Sequence, residues 1–175
     1  VILYPSKDFG KLVNNGPEWA TGIFDGRIRI PVYPRYLKDK NLQQLDSSIK
    51  HELVHALVFH MTHQRNTPPW FNEGLAQYFE CLDRICETQF PPKPGDFLEQ
   101  SIFEDSFTSL SEVMARRAYS QSFYVFSFLA NLDQGADKIR LMVKRLSRQS
   151  DLSTDALLAP ANLDFKKLHG QVKKS

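Results

Sequence analysis

Val1, Ile2, Leu3 and Tyr4 open the chain as an apolar run that stops at Pro5, the length and composition of a short strand. Ser6 then stands where a helix cap belongs, ahead of a short helix over residues 7–14 that Asn15-Gly16-Pro17 ends. Between residues 23 and 30 apolar positions alternate with Asp25, Arg27 and Arg29 around an Asp25-Gly26 turn signal. That pattern predicts a hairpin, closed off by Pro31 and Pro34. From Asp46 the period lengthens. Ile49, Leu53, Ala56, Leu57 and His60 fall on one face of a helix reaching His63, with Asp46 or Ser47 as its cap. A loop over 65–69 leads into a second helix over 70–86, and the proline-rich residues 91–95 form an irregular connection. Helices are then predicted over 110–116, over 118–132 with a close near Gly135, over 137–148, 154–158 and 163–172.

The pattern predicts an α+β fold, mainly helical with a small N-terminal β-sheet. Residues 1–44 form a strand-and-helix lobe and residues 45–175 the helical part. At 175 residues the chain suits one domain, and no repeat or linker divides it.

Composition narrows the class. Hydrophobic content of 42% and charged content of 24% are those of a soluble globular protein. A net charge of +2, with basic and acidic residues interspersed, argues against a nucleic-acid partner. The local basic run Lys166, Lys167, Lys173, Lys174 reads as a solvated helix face. No apolar stretch approaches the ~20 residues of a membrane span. The chain opens at Val1 without a Met, so any leader or anchor would lie outside it, as would further domains of a longer protein, and the compartment is open. Cys81 and Cys86 fall five apart on one expected helix, where their side chains diverge. Buried or idle thiols are therefore expected, and no disulfide framework.

The chemistry concentrates in His51-Glu52-Leu53-Val54-His55. Residues four apart on a helix share a face. His51 and His55 can therefore aim two imidazoles at one cation, while Glu52 stands beside it as a general base. The rival reading is an amphipathic helix with two unrelated histidines. A catalytic zinc takes three protein ligands and leaves one position for water. Glu73 supplies the third from the first turn of the next helix, just past Pro68-Pro69, with Gly74 letting the two helices approach closely. Other ligands fit less well. The metzincin pattern requires Gly and His where Val58 and Met61 stand. His60 and His63 lie about 180° and about 120° round the helix from His51 and share no face with it.

His51–His55 followed by Asn72-Glu73-Gly74 resembles the gluzincin zinc metallopeptidases. Trp70-Phe71-Asn72-Glu73-Gly74-Leu75-Ala76-Gln77-Tyr78-Phe79 is similar to the corresponding helix of their aminopeptidase-N-like branch. The chain is closer still to the peptidase MA-like domains, a bacterial group of similar length, over about residues 1–148. The resemblance implies a zincin-like fold whose active-site helix bears the HExxH pattern. It implies one Zn²⁺ ion held by His51, His55 and Glu73, with Glu52 as general base and proton shuttle. It also implies a tyrosine or histidine that stabilises the oxyanion. Ala118-Tyr119-Ser120-Gln121-Ser122 resembles the tyrosine-bearing helix start, which gives Tyr119 that role; the other reading of Tyr119 is a partly buried aromatic beside Phe123, Tyr124, Phe126 and Phe128.

Implied in turn is zinc-dependent hydrolysis of peptide bonds by a metal-activated water, on a peptide or protein substrate. The Gly-x-Met-Glu-Asn segment with which aminopeptidases grip a free amino terminus is absent, so an endopeptidase is expected. The alternative is a weak or inactive zincin-fold module that binds a peptide or protein partner. The compartment stays open, the family pointing to a secreted or periplasmic bacterial protein. Residues 26–30 read either as an edge strand to which a substrate adds or as an ordinary edge blunted by Arg27 and Arg29. Gln77 and Asn72 are candidates to orient the imidazoles; a surface amide and a helix cap are the competing readings.

Overall fold

The computed structural model of the protein describes residues 1–12, 22–34, 42–82 and 97–172. Strand β1 (Ile2–Pro5) and helix α1 (Ser6–Leu12) are followed by β2 (Ile23–Phe24) and β3 (Ile28–Val32). The strands form one sheet in the order β1-β3-β2. Ile2 lies opposite Arg29 in the parallel β1–β3 pair, and Ile23 opposite Arg29 in the antiparallel β2–β3 pair. The hairpin turns at Gly26, whose φ of 91° lies in the left-handed region that glycine enters without steric cost. Arg29 Nε donates back to both Asp25 carboxylate oxygens at 2.9 and 3.0 Å, fastening the turn.

Two expectations change here. The segment expected at an edge is the centre of the sheet, so a substrate strand has no open edge along residues 28–29. Pro31 does not end the strand, which continues to Val32 paired with β1. Among the described residues β2 reaches no further than Arg29, so at Pro31 the strand is an edge on that side, where a missing N–H is tolerated.

Helix α2 (Leu42–Met61) starts earlier than its periodicity predicts. Asp46 and Ser47 lie inside it rather than capping it: Asp46 pairs with Lys50 at 2.8 Å one turn on, and Ser47 is buried. Its buried face is also not the leucine face. Glu52, Val54 and Val58 face inward, while Leu53 and Leu57 are 56% and 50% exposed. Helix α3 (Pro69–Glu80) follows, with Pro68 as its N-cap residue and Pro69 within its first turn, where a proline's missing N–H costs no helical bond. It ends six residues before the expected Cys86, with Cys81 as its C-cap.

Cys81 is disulfide-bonded, and no described cysteine is free. The expectation of idle thiols is therefore wrong. It assumed a helix through both positions, and the helical spacing that forbids a bridge stops at Glu80. Cys86, the chain's other cysteine, lies outside the described residues, as do residues 13–17, 91–95 and the basic pair at 173–174.

The remaining elements are α4 (Gln100–Glu104), a 3-10 turn (Phe107–Ser109), α5 (Glu112–Ala130), α6 (Gly135–Arg145), α7 (Thr154–Leu158), a second 3-10 turn (Ala159–Ala161) and α8 (Phe165–Val172). One continuous α5 replaces two predicted helices, capped by Ser111 Oγ accepting from the Met114 N–H. The protein is thus mostly helical with a small three-stranded sheet, an α+β arrangement.

Helix α3 packs between α2 and α5, and β3 packs on α2. One cluster of buried side chains runs from Val54 to Leu168 and includes Trp70, Phe71, Leu75 and Phe126. The Trp70 indole N–H donates to Thr154 Oγ1 at 2.9 Å inside it, tying the start of α3 to α7. Arg65, in the α2–α3 loop, donates to the carbonyls of Leu146 and Ser150 at 3.1 and 3.0 Å. No helix among the described residues is long and apolar enough to cross a membrane.

Candidate metal centre

His51, Glu52 and His55 project from the middle of α2, and one donor atom from each lies within 4.8 Å of the others, a group that could hold a metal ion. The imidazoles meet edge to face, with ring centroids 4.7 Å apart and planes at 83°. This is the one-turn stacking that i, i+4 spacing gives.

A second carboxylate enters from α3. Glu73 Oε2 stands 3.4 Å from His51 Nε2 and 3.6 Å from His55 Nε2. Ligands ~2.0–2.1 Å from a tetrahedral metal ion are about 3.3–3.4 Å from one another, and Glu73 Oε2 stands at close to that separation from each imidazole nitrogen. The His51, His55 and Glu73 side chains keep 17%, 12% and 20% of their surface exposed, so the ligand face is not sealed from solvent. Glu52 is only 4% exposed, and its Oε2 is buried with no hydrogen-bond partner. An unpaired buried carboxylate oxygen costs of the order of a few kcal/mol, and a cation or a water proton beside it removes that cost. The donor set is one of nitrogen and oxygen atoms that could hold a metal ion.

Behind the first imidazole lies a residue without a sequence signal. Glu80 Oε2 is 3.2 Å from His51 Nδ1. An ionised carboxylate can only accept, so Nδ1 carries the proton and Nε2 faces Glu73 and His55. Glu80 follows Glu73 by two helical turns and so shares its face of α3. Gln77 does not serve the imidazoles: its Nε2 donates to the Tyr119 carbonyl at 3.1 Å and joins α3 to α5. Asn72 Oδ1 is buried without a partner, and Asn72 lies inside α3 rather than at its cap. Gly74 allows a close approach, but of α3 to α5 rather than to α2. A Cβ there would stand 2.5 Å from the Ser122 carbonyl oxygen. His60 and His63 are exposed, the latter beyond the helix end with φ 54°.

The charges are strongly coupled. Burial pushes the His51 imidazole down, but hydrogen bonds to Glu73 and Glu80 and the nearby carboxylate charges outweigh it and lift it to about 10. His55 is raised likewise, burial being outweighed mainly by the Glu73 charge. Burial pushes Glu73 up, yet the two imidazoles overcome it and hold the carboxylate well below its usual range. Burial raises Glu52, and the imidazole charges do not fully offset it. Tyr119, two turns into α5 and not at a helix start, packs edge-on against Phe107 at 5.3 Å. Burial, then the charges of Glu73 and Glu52, push its hydroxyl far above the usual range. The phenol thus feels both carboxylates of the site, on the helix packed against α3.

Compared with family models, with curated proteins and with solved structures, the chain gives no match.

Proposed function

We propose that the protein is a zinc-dependent peptidase of the gluzincin type, with a zincin-like fold, that cuts within peptide chains. The observation that carries this reading is the meeting of Glu73 Oε2 with both Nε2 atoms at 3.4 and 3.6 Å, while a second, buried carboxylate stays beside them. His51, His55 and Glu73 would hold the ion, which leaves Glu52 for proton transfer. When bound, zinc supplies Lewis acidity, acidifying water and polarising a carbonyl.

The chain's own groups do the rest. Glu52, raised by burial, takes a proton from the attacking water at its free Oε2 and returns it to the leaving amine. The Tyr119 hydroxyl, held in its protonated form, donates to the developing oxyanion. Glu80 fixes the His51 tautomer from behind. The lack of a Gly-x-Met-Glu-Asn segment supports internal cleavage over amino-terminal trimming.

A peptide library incubated with zinc-loaded wild type and with Glu52→Gln tests the reading. Wild type is expected to cleave, and Glu52→Gln to keep its zinc while losing on the order of 10²- to 10⁴-fold in rate. Full zinc occupancy without cleavage of any peptide by wild type would favour a binding module instead.

A further inference from the structure

Gly22, which lies just before β2, packs directly on the Glu52 side chain although the two are thirty residues apart in sequence. A Cβ on Gly22 would stand 2.7 Å from Glu52 Cγ, 2.8 Å from Glu52 Oε1 and 2.8 Å from Ile30 Cδ1. All three separations are shorter than any carbon can keep without something moving. Gly22 is buried and its φ is not in the left-handed region, so glycine is required here for space and not for backbone conformation. The β2–β3 register, which sets Ile23 opposite Arg29, brings Gly22 over Ile30, a side chain with no exposed surface. Gly22 is therefore a wall between the sheet and the carboxylate of α2.

We infer that Gly22 is a positioning residue for Glu52: its bare Cα sets where the carboxylate stands, so that the base reaches a water without taking a ligand's place. The inference rests on the proposed peptidase reading for its catalytic consequence, but its geometric part does not. The atoms a methyl would strike belong to side chains rather than backbone: Cγ and Oε1 of Glu52 and the Cδ1 tip of Ile30. Of the two side chains, Ile30 is locked in the sheet core with no exposed surface, while Glu52 Cγ gives way by rotation about χ1, which carries the whole carboxyl with it. The carboxylate is what moves. Gly74 behaves differently, since its missing Cβ faces the Ser122 backbone, and Gly10 has nothing within 4 Å of the position of a Cβ.

The test compares Gly22→Ala, Gly22→Ala with Ile30→Val, and Gly10→Ala, all zinc-loaded. Gly22→Ala is expected to keep full zinc content and a near-native melting temperature while kcat falls about 10- to 100-fold with little change in KM, as for an ångström-scale misplacement. Adding Ile30→Val removes Cδ1 and lets the methyl lean away from Glu52, so it is expected to recover most of the rate. In the Glu52→Gln background Gly22→Ala should have no further effect on rate. Gly10→Ala should match wild type. A crystal structure of Gly22→Ala provides a readout independent of turnover: a displaced Glu52 carboxylate with His51, His55 and Glu73 in place supports the inference. An unmoved carboxylate with a shifted Ile30, or an undiminished kcat in an active wild type, would overturn it. If wild type cleaves nothing, the peptidase reading fails while the crystallographic comparison still decides the role of Gly22.

Discussion

His51 donates its Nδ1–H to Glu80 Oε2 at 3.2 Å and so keeps Nε2 for whatever lies between it, His55 and Glu73. Carboxylates in that position fix the ring and raise its basicity, and their loss commonly weakens metal binding about 10- to 100-fold. Glu80→Ala is therefore expected to lower zinc affinity by that factor in competition with a chromophoric chelator. Glu80→Gln, which still offers an acceptor oxygen, should lose less. Equal affinity in Glu80→Ala and wild type would remove the role. Tyr119→Phe isolates the hydroxyl: kcat should fall about 10²- to 10³-fold with unchanged zinc content, as when one oxyanion donor is lost. At this scale the sequence was most informative about His51, Glu52, His55 and Glu73, because helical spacing alone sets two of them on one face. Glu80 and Gly22 left no signal. A carboxylate at a helix end and a glycine before a short strand acquire their meaning from what α2 places against them.

Between elements, the close approach of α3 and α5 depends on Gly74, where an added Cβ would lie 2.5 Å from Ser122 O and 2.8 Å from Phe126 Cδ2. Backbone cannot step aside as a side-chain tip does. Gly74→Ala is expected to destabilise by about 1–3 kcal/mol, a fall of several degrees in melting temperature for a chain of this size. A melting temperature equal to wild type would show the interface to be looser than these distances. The strand, hairpin and most helix positions follow from local patterning. The misjudged elements have local causes too. Arg116 and Arg117 interrupt the apolar period and suggest a break, but Ala115 and Ala118 on either side are buried and α5 runs straight through. Leu53 and Leu57 suggest the buried face of α2, but that helix turns its imidazoles and Glu52 inward and leaves the leucines exposed. The face that carries the imidazoles and Glu52 turns towards α3, against the ordinary amphipathic rule.

At the scale of the molecule, β2 and β3 pack on α2, α3 packs between α2 and α5, and the C-terminal part of the chain braces the α2–α3 loop through Arg65 and the start of α3 through Trp70. This bracing was not readable from periodicity, since the partners stand more than eighty residues apart and are joined through side-chain hydrogen bonds. The disulfide at Cys81 adds a covalent tie just past Glu80. Thiol titration of the denatured, unreduced chain should find no free thiol, and two after reduction, from Cys81 and Cys86; thiols titrating before reduction would contradict it. On the proposed reading zinc would join α2 to α3, and binding to the folded state alone would raise its stability by mass action. The most direct measurement is zinc content per chain in wild type, His51→Ala, His55→Ala, Glu73→Ala and Glu52→Ala, each reconstituted and dialysed alike. The expected result is one zinc per chain in wild type and Glu52→Ala, and loss of stoichiometric zinc in the other three. A wild type that holds no zinc, or zinc that survives Glu73→Ala but not Glu52→Ala, would contradict the assignment of Glu73 as ligand and Glu52 as base.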